Sequence, residues 1–135
     1  MATKPGKPTL FGTTEQGGCV FALPGNPISA LIGYRLLVRP ALALMRGQGS
    51  LRSPFRAAVL RGSFPATKGR RAFWPATLAI DPDGRLTATP QPWHGSGDVL
   101  GMGISQGFIT RPAGAAAVAE GASVAVLITR GEDLG

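Results

Sequence analysis

The run Leu23-Pro24-Gly25-Asn26-Pro27-Ile28-Ser29-Ala30 constrains this chain more than any other. It joins an apolar stretch to a tight turn and then to a long segment of helical character. Asn26 suits the N-cap, and Pro27 suits the first helical position, where a missing N–H costs nothing. The amides of Ile28, Ser29 and Ala30 are then free donors at the helix start, and Ser29 adds a hydroxyl. Such an end attracts anions through its unpaired N–H groups and its dipole. The plain alternative is an ordinary strand-to-helix connection.

Around this run, residues 9–12 read as a short strand, Gln16-Gly17-Gly18 as a turn and residues 19–23 as a buried strand. The helix should run from Pro27 to near Gly47, which suits the left-handed position after a helix end. Arg35, Arg39 and Arg46 fall on one narrow stripe at 100° per residue. The rest of the helix is apolar or small, which predicts packing on more than one side. Pro40 removes a backbone bond and should kink or divide the helix. Arg35 and Arg39 interrupt the apolar run, so no stretch approaches a membrane span. Two strands and one helix cannot close a core, so residues 1–47 read as the tail of a larger α/β domain.

A linker at 48–54 leads to a second unit at 55–130. Residues 55–61 and 72–80 read as strands by alternation. Asp81-Pro82-Asp83-Gly84 is a hairpin turn, with Pro pre-set for the bend and Gly free to take positive φ. Residues 85–89, 108–110 and 122–129 continue the strand pattern. Several short strands without a convincing helix predict a small all-β barrel or sandwich. Residues 131–135 read as a frayed tail.

The net charge is +7, and no Asp or Glu occurs in residues 16–80, while Arg35, Arg39, Arg46, Arg52, Arg56, Arg61, Lys68, Arg70 and Arg71 do. That span cannot hold a hard cation through carboxylates or run paired-carboxylate chemistry, but it can attract anions. Cys19 is the single cysteine, which excludes an internal disulfide and a Cys-based zinc site. Beside Val20 and Phe21 it reads as a buried small hydrophobe. His94, the single histidine, reads as a loop residue. The N-terminus carries no export pattern, so the expected location is cytoplasmic.

Four elements are candidates for binding. Lys4 and Lys7 lie where two prolines hold the backbone extended, either as a solvated terminus or reaching the anion site of the 24–29 turn. Arg70 and Arg71 open a strand, either as solvated charges or with a guanidinium donating to an oxyanion. Ser96, between two glycines, sits in a flexible loop or in an anion nest.

In order and spacing these segments resemble the C-terminal part of the molybdopterin molybdenumtransferase family (MoeA and the gephyrin E domain). The resemblance is carried by Lys4-Pro5-Gly6-Lys7-Pro8, Phe11-Gly12, Leu23 through Ala30 and Val38-Arg39-Pro40-Ala41-Leu42. Gly69-Arg70-Arg71-Ala72-Phe73, Gly95-Ser96-Gly97 and Glu120-Gly121-Ala122-Ser123-Val124 follow, and nearly the whole chain is covered.

The resemblance implies an α/β fragment, the end of a MogA-like three-layer domain, followed by a small β-barrel C-terminal domain. It implies molybdate and adenylylated molybdopterin as substrates and release of AMP on metal insertion. Lys4, Lys7, Pro24, Gly25, Asn26, Pro27, Ser29, Arg70, Arg71 and Ser96 are the implied binding residues, with Arg70 ahead of Arg71. The family's Mg2+ ligands belong to earlier acidic strands, so no metal site is expected in this chain. It also implies a homodimer or association with the missing N-terminal half, and no metal insertion by this chain alone. Two other readings are a non-catalytic dimerisation or interaction module and a basic single-stranded nucleic-acid binder. The second is disfavoured because the aromatics are not interleaved with basic residues.

Overall fold

The structure, a computed structural model, describes residues 3–4, 10–25, 27–49, 52–92 and 105–129. Its organising strand is β5 (Arg71–Ile80), which alternates buried and more open positions along ten residues. The Asp81-Pro82-Asp83-Gly84 turn folds it back onto β6 (Leu86–Pro90), pairing Ile80 with Leu86. Gly84 takes φ 80°, the left-handed conformation that a side chain disfavours. The Asp81 carboxylate holds this turn. It accepts from the Arg85 N–H at 2.8 Å, the Asp83 N–H at 3.0 Å and Arg85 Nε at 3.0 Å.

The other edge of β5 pairs with β7 (Gly107–Arg111), which pairs antiparallel with β8 (Ser123–Ile128). β8 continues to β4 (Phe55–Leu60), and β4 closes the ring by pairing parallel with β6 at Val59↔Thr87 and Leu60↔Ala88. The result is a closed five-stranded barrel.

Side chains of one parity fill it: Ala58, Leu60, Ala76, Ala88, Ile109, Val124 and Val126, with Phe64. A five-stranded interior is narrow, which suits the alanines. Trp74 meets Phe64 edge-on at 5.9 Å, and its indole N–H donates to the Gln91 carbonyl at 2.8 Å. At Gly107 a Cβ would lie 2.6 Å from the Leu127 carbonyl oxygen, so this position admits no side chain without strand movement.

Preceding the barrel are β1 (Thr3–Lys4), β2 (Leu10–Thr13), β3 (Cys19–Ala22) and a continuous helical rod, Pro27–Met45. The rod consists of α1 (Pro27–Gly33), a π turn (Tyr34–Val38) and α2 (Arg39–Met45). The π turn shows how Pro40 is accommodated. The Arg39 N–H reaches back to the Tyr34 carbonyl, five residues away, and the wider turn takes up the ring without a break. The rod ends where expected: Gly47 has φ 83°, its N–H donates to Leu44 and that of Gln48 to Ala43, a paired C-terminal cap.

The rod packs on the outside of the barrel. Ile28 and Ile32 meet Phe73, Phe108 and Leu127, outward residues of β5, β7 and β8, flanked by Leu31, Leu36 and Phe55. Gly33 makes room for Leu23, whose Cδ2 lies 2.8 Å from where a Cβ would be.

Several expectations are corrected. The arginine stripe is not one environment: Arg35, seven residues from Ile28 and three from Ile32, lies on the buried face at 8% exposure, Arg39 is half-buried and Arg46 is exposed. The rod is covered on one side, leaving Tyr34, Leu42, Leu44 and Met45 exposed. Its 19 residues do reach the length and apolarity of a membrane span, but Ile28 and Ile32 are fully buried against the barrel. β3 is largely exposed rather than buried, and Cys19 with it, because among the described residues β2 and β3 form a two-stranded sheet of their own. β1 was not foreseen. It adds to β5 in parallel, with Thr3↔Arg71 and Lys4↔Ala72.

Candidate anion-binding site

Three local structures bring the candidate residues towards one region. Pro27 opens α1 as its first residue, preceded by half-buried Pro24 and exposed Gly25. The β2–β3 register sets Leu10 opposite Ala22, so the start of β2 and the exit of β3 into the 24–29 turn share one end of the hairpin. The β1 register places the Lys4 backbone beside Ala72, next to Arg71.

The barrel contributes the other side. Arg71 begins β5 and Arg70 stands in the bend before it, both exposed. By strand parity Arg71 shares the outward face with Phe73, on which Ile28 and Ile32 of the first helical turns rest. The Lys4 backbone and Arg70-Arg71 thus share one end of β5, and Phe73, two residues on, packs in one cluster with Ile28 and Ile32. Lys7, Asn26 and Ser96 lie outside the described residues, as do His94 and its neighbours. Ser29, in the first helical turn, is 4% exposed.

The charge is one-sided. The Asp81 and Asp83 carboxylates lie past the opposite end of β5, about 30 Å away at the usual rise per strand residue. There Asp81 is engaged by Arg85 and by Arg61, whose Nη2 is 3.6 Å from Oδ2. The Arg85 backbone N–H is the main reason the Asp81 carboxyl lies below the usual range; burial opposes it, and the Arg85 guanidinium and the Asp83 N–H lower it further. Among the described residues no three His, Cys, Asp or Glu side chains gather as a metal site. The Arg71 end presents cations to an anion with no carboxylate of the β5–β6 turn nearby to compete.

Two buried polar residues near this region were not singled out from sequence. Thr110 faces Phe73 across β5–β7, and its hydroxyl has no partner among the described residues. Arg35 donates from Nη2 to the Ile128 carbonyl. Its spacing from Ile28 and Ile32 was the available signal for burial.

Residues 57–129, more than half of the chain, match the family model described as the MoeA C-terminal region (domain IV). The chain belongs to this family. Among MoeA-related proteins, the molybdopterin molybdenumtransferase 2 of Mycobacterium tuberculosis is 37% identical over 78 residues, covering 58% of this chain and 19% of that protein. The molybdopterin molybdenumtransferase of Synechococcus elongatus is 32% identical over 93% of this chain and 30% of its own. A crystal structure of the molybdopterin biosynthesis MoeA protein from Pyrococcus horikoshii superposes with a TM-score of 0.74 at 32% identity, over 97% of this chain and 31% of that one. The chain thus has a MoeA-like fold and spans less than a third of the length of these relatives.

Proposed function

We propose that this chain supplies the C-terminal part of a molybdopterin molybdenumtransferase, acting in molybdenum cofactor biosynthesis. One observation supports the reading: β1 pairs the Lys4 backbone with Ala72, next to Arg71, and Phe73 just beyond packs in one apolar cluster with Ile28 and Ile32 of the first helical turns. Such an arrangement suits a tetrahedral dianion next to a phosphorylated substrate. Lys4 and Lys7 neutralise molybdate and the pterin phosphate. Arg70, with Arg71 as its neighbour, donates a planar pair of N–H groups. Pro24, Gly25, Asn26 and Pro27 shape the turn that presents the helix amides, and Ser29 and Ser96 add hydroxyls.

Adenylylated molybdopterin loses AMP as molybdate enters. The chain's part is to bring together two anions that otherwise repel, by positioning and charge neutralisation. Magnesium, in this reading, is held by acidic residues of the α/β portion. Residues 1–47 correspond to the end of the MogA-like three-layer domain, 48–54 to the linker and 55–130 to the barrel domain. The protein works in the cytoplasm, as a homodimer or joined to the N-terminal half.

The test is reconstitution. The chain is mixed with the preceding portion of the Synechococcus elongatus relative, and AMP release from adenylylated molybdopterin with molybdate is measured. The chain alone should be inactive, the mixture active, and Lys7→Ala or Arg70→Ala in the mixture inactive. A mixture that associates and yields no AMP, with no molybdate bound, sinks the reading.

A second reading, a non-catalytic interaction module, is favoured by the uncovered Leu42, Leu44 and Met45. Co-assembly with the relative's N-terminal portion without turnover would select it. Single-stranded nucleic-acid binding is poorly supported, because Phe64, Phe73 and Phe108 are buried inside the fold.

A further inference from the structure

Arg35 is a charged side chain, more than nine-tenths buried, in the middle of an apolar rod. A buried guanidinium is costly to desolvate, and an apolar residue of similar volume generally serves stability as well or better. The residue therefore calls for a reason other than packing. Its surroundings supply one. The apolar contact of Ile28 and Ile32 with Phe73, Phe108 and Leu127 is non-directional, and permits the rod to roll or slide on the barrel. A guanidinium donating to a backbone carbonyl is directional.

The acceptor is itself fixed. Ile128 pairs with Gly107, where the strands approach too closely for a side chain. Just beyond it, the Thr129 N–H and hydroxyl both donate to the Gln106 carbonyl, at 2.9 Å and 3.1 Å. The donor is fixed too, because Arg35 lies inside the π turn that Pro40 imposes. From Arg35 to Ile28 the rod rises about 10 Å, two turns, before reaching the 24–29 turn. A roll at Arg35 is thus carried to the helix start and displaces it from Arg71.

We propose that Arg35 is a positioning residue: its hydrogen bond to the Ile128 carbonyl fixes the roll of the helix on the barrel, and with it the placement of the 24–29 turn against Arg70 and Arg71. This deepens the proposed function, since it rests on those segments sharing one anion.

The experiment uses the exposed Cys19 and a second label at exposed Ser123 (Ser123→Cys), with distances between spin labels read by pulsed electron resonance. In Arg35→Met the barrel should melt at or above its original temperature. The distance distribution should broaden or move by about 1–2 Å, the scale of a helix shift. Titration with sodium molybdate should show binding weakened about tenfold or more, as for loss of one well-placed charge-assisted donor. Arg35→Lys, which keeps a donor, should recover part of the original distribution.

An unchanged distribution in Arg35→Met overturns the proposal. So does broadening accompanied by loss of the barrel transition, and so does an Arg35→Lys distribution no narrower than that of Arg35→Met. Should the unsubstituted chain bind no molybdate, the shared-anion reading fails while the distances still decide the role of Arg35.

Discussion

The barrel and the hairpin are both antiparallel β structure for the most part, yet they hold together in opposite ways. The barrel closes on itself, so its strands have neighbours on both edges, and small residues such as Ala58, Ala76 and Ala88 suffice to fill the interior. The β2–β3 hairpin has two strands, open faces and one aromatic contact, Phe11 with Phe21 at 5.1 Å. Closure turns a short sequence into a core. An open pair leaves Leu10, Phe11 and Val20 in solvent. The helical rod stands between these regimes, with its first turns buried in the manner of the barrel and its last turns open like the hairpin.

The contrast is broken most severely at the junction. Phe73→Ala removes the ring on which both Ile28 and Ile32 rest and should cost about 3–5 kcal/mol, seen as a lowered urea midpoint. A midpoint close to the original would mean the rod and barrel are not joined through this contact. Next comes the closure of the ring. Gly107→Ala forces a methyl against the Leu127 carbonyl and should cost about 1–3 kcal/mol. A neutral result would show that β7 and β8 can separate without penalty.

The β5–β6 turn gives a pH-dependent effect. Asp81 has a lower carboxyl pKa folded than unfolded, so below the usual carboxylate range the unfolded chain binds more protons. Its stabilisation is complete at neutral pH and declines as pH falls through that range. Asp81→Asn should therefore lower the urea midpoint at neutral pH and flatten the acid-side decline. An equally steep decline in the variant would assign it to other carboxylates.

The smallest effect belongs to the open end of the rod. Leu44→Ala and Met45→Ala should each change stability by less than about 0.5 kcal/mol. Met45 is 73% exposed, and its replacement by Gln should reduce self-association in sedimentation without moving the melt. A large loss of stability from either alanine would show that the open face is covered after all.

Local signals were legible in the sequence: the helix start at Pro27, its cap at Gly47, the Asp81–Gly84 turn chemistry and the strands of β4, β5 and β8. Each depends on a few adjacent residues. The parallel β4–β6 pairing that closes the ring and the β1–β5 pairing were not legible, because they join distant segments with no pattern of their own. Sequence set Arg35 on one stripe with Arg39 and Arg46 without assigning that stripe a buried or open side, which only the barrel surface decides. Exposure of Cys19 was misread because an apolar neighbourhood in sequence says nothing of whether another layer covers it. For the candidate site, the Gly-Arg-Arg motif and the 24–29 turn were found from sequence. What sequence did not supply was the β1–β5 pairing or the packing of Phe73 with the first helical turns.

The two-residue ladder of β1 has a consequence for the order of assembly. Thr3 and Lys4 meet Arg71 and Ala72 across about half of the chain, and so short a parallel pairing offsets little of its own loop-closure entropy. It becomes favourable once β5 is already straightened by β7 on its other edge. The Lys4 backbone then docks beside Ala72 among the last events of folding, so a newly made molecule has a finished barrel before its N-terminal strand is in place.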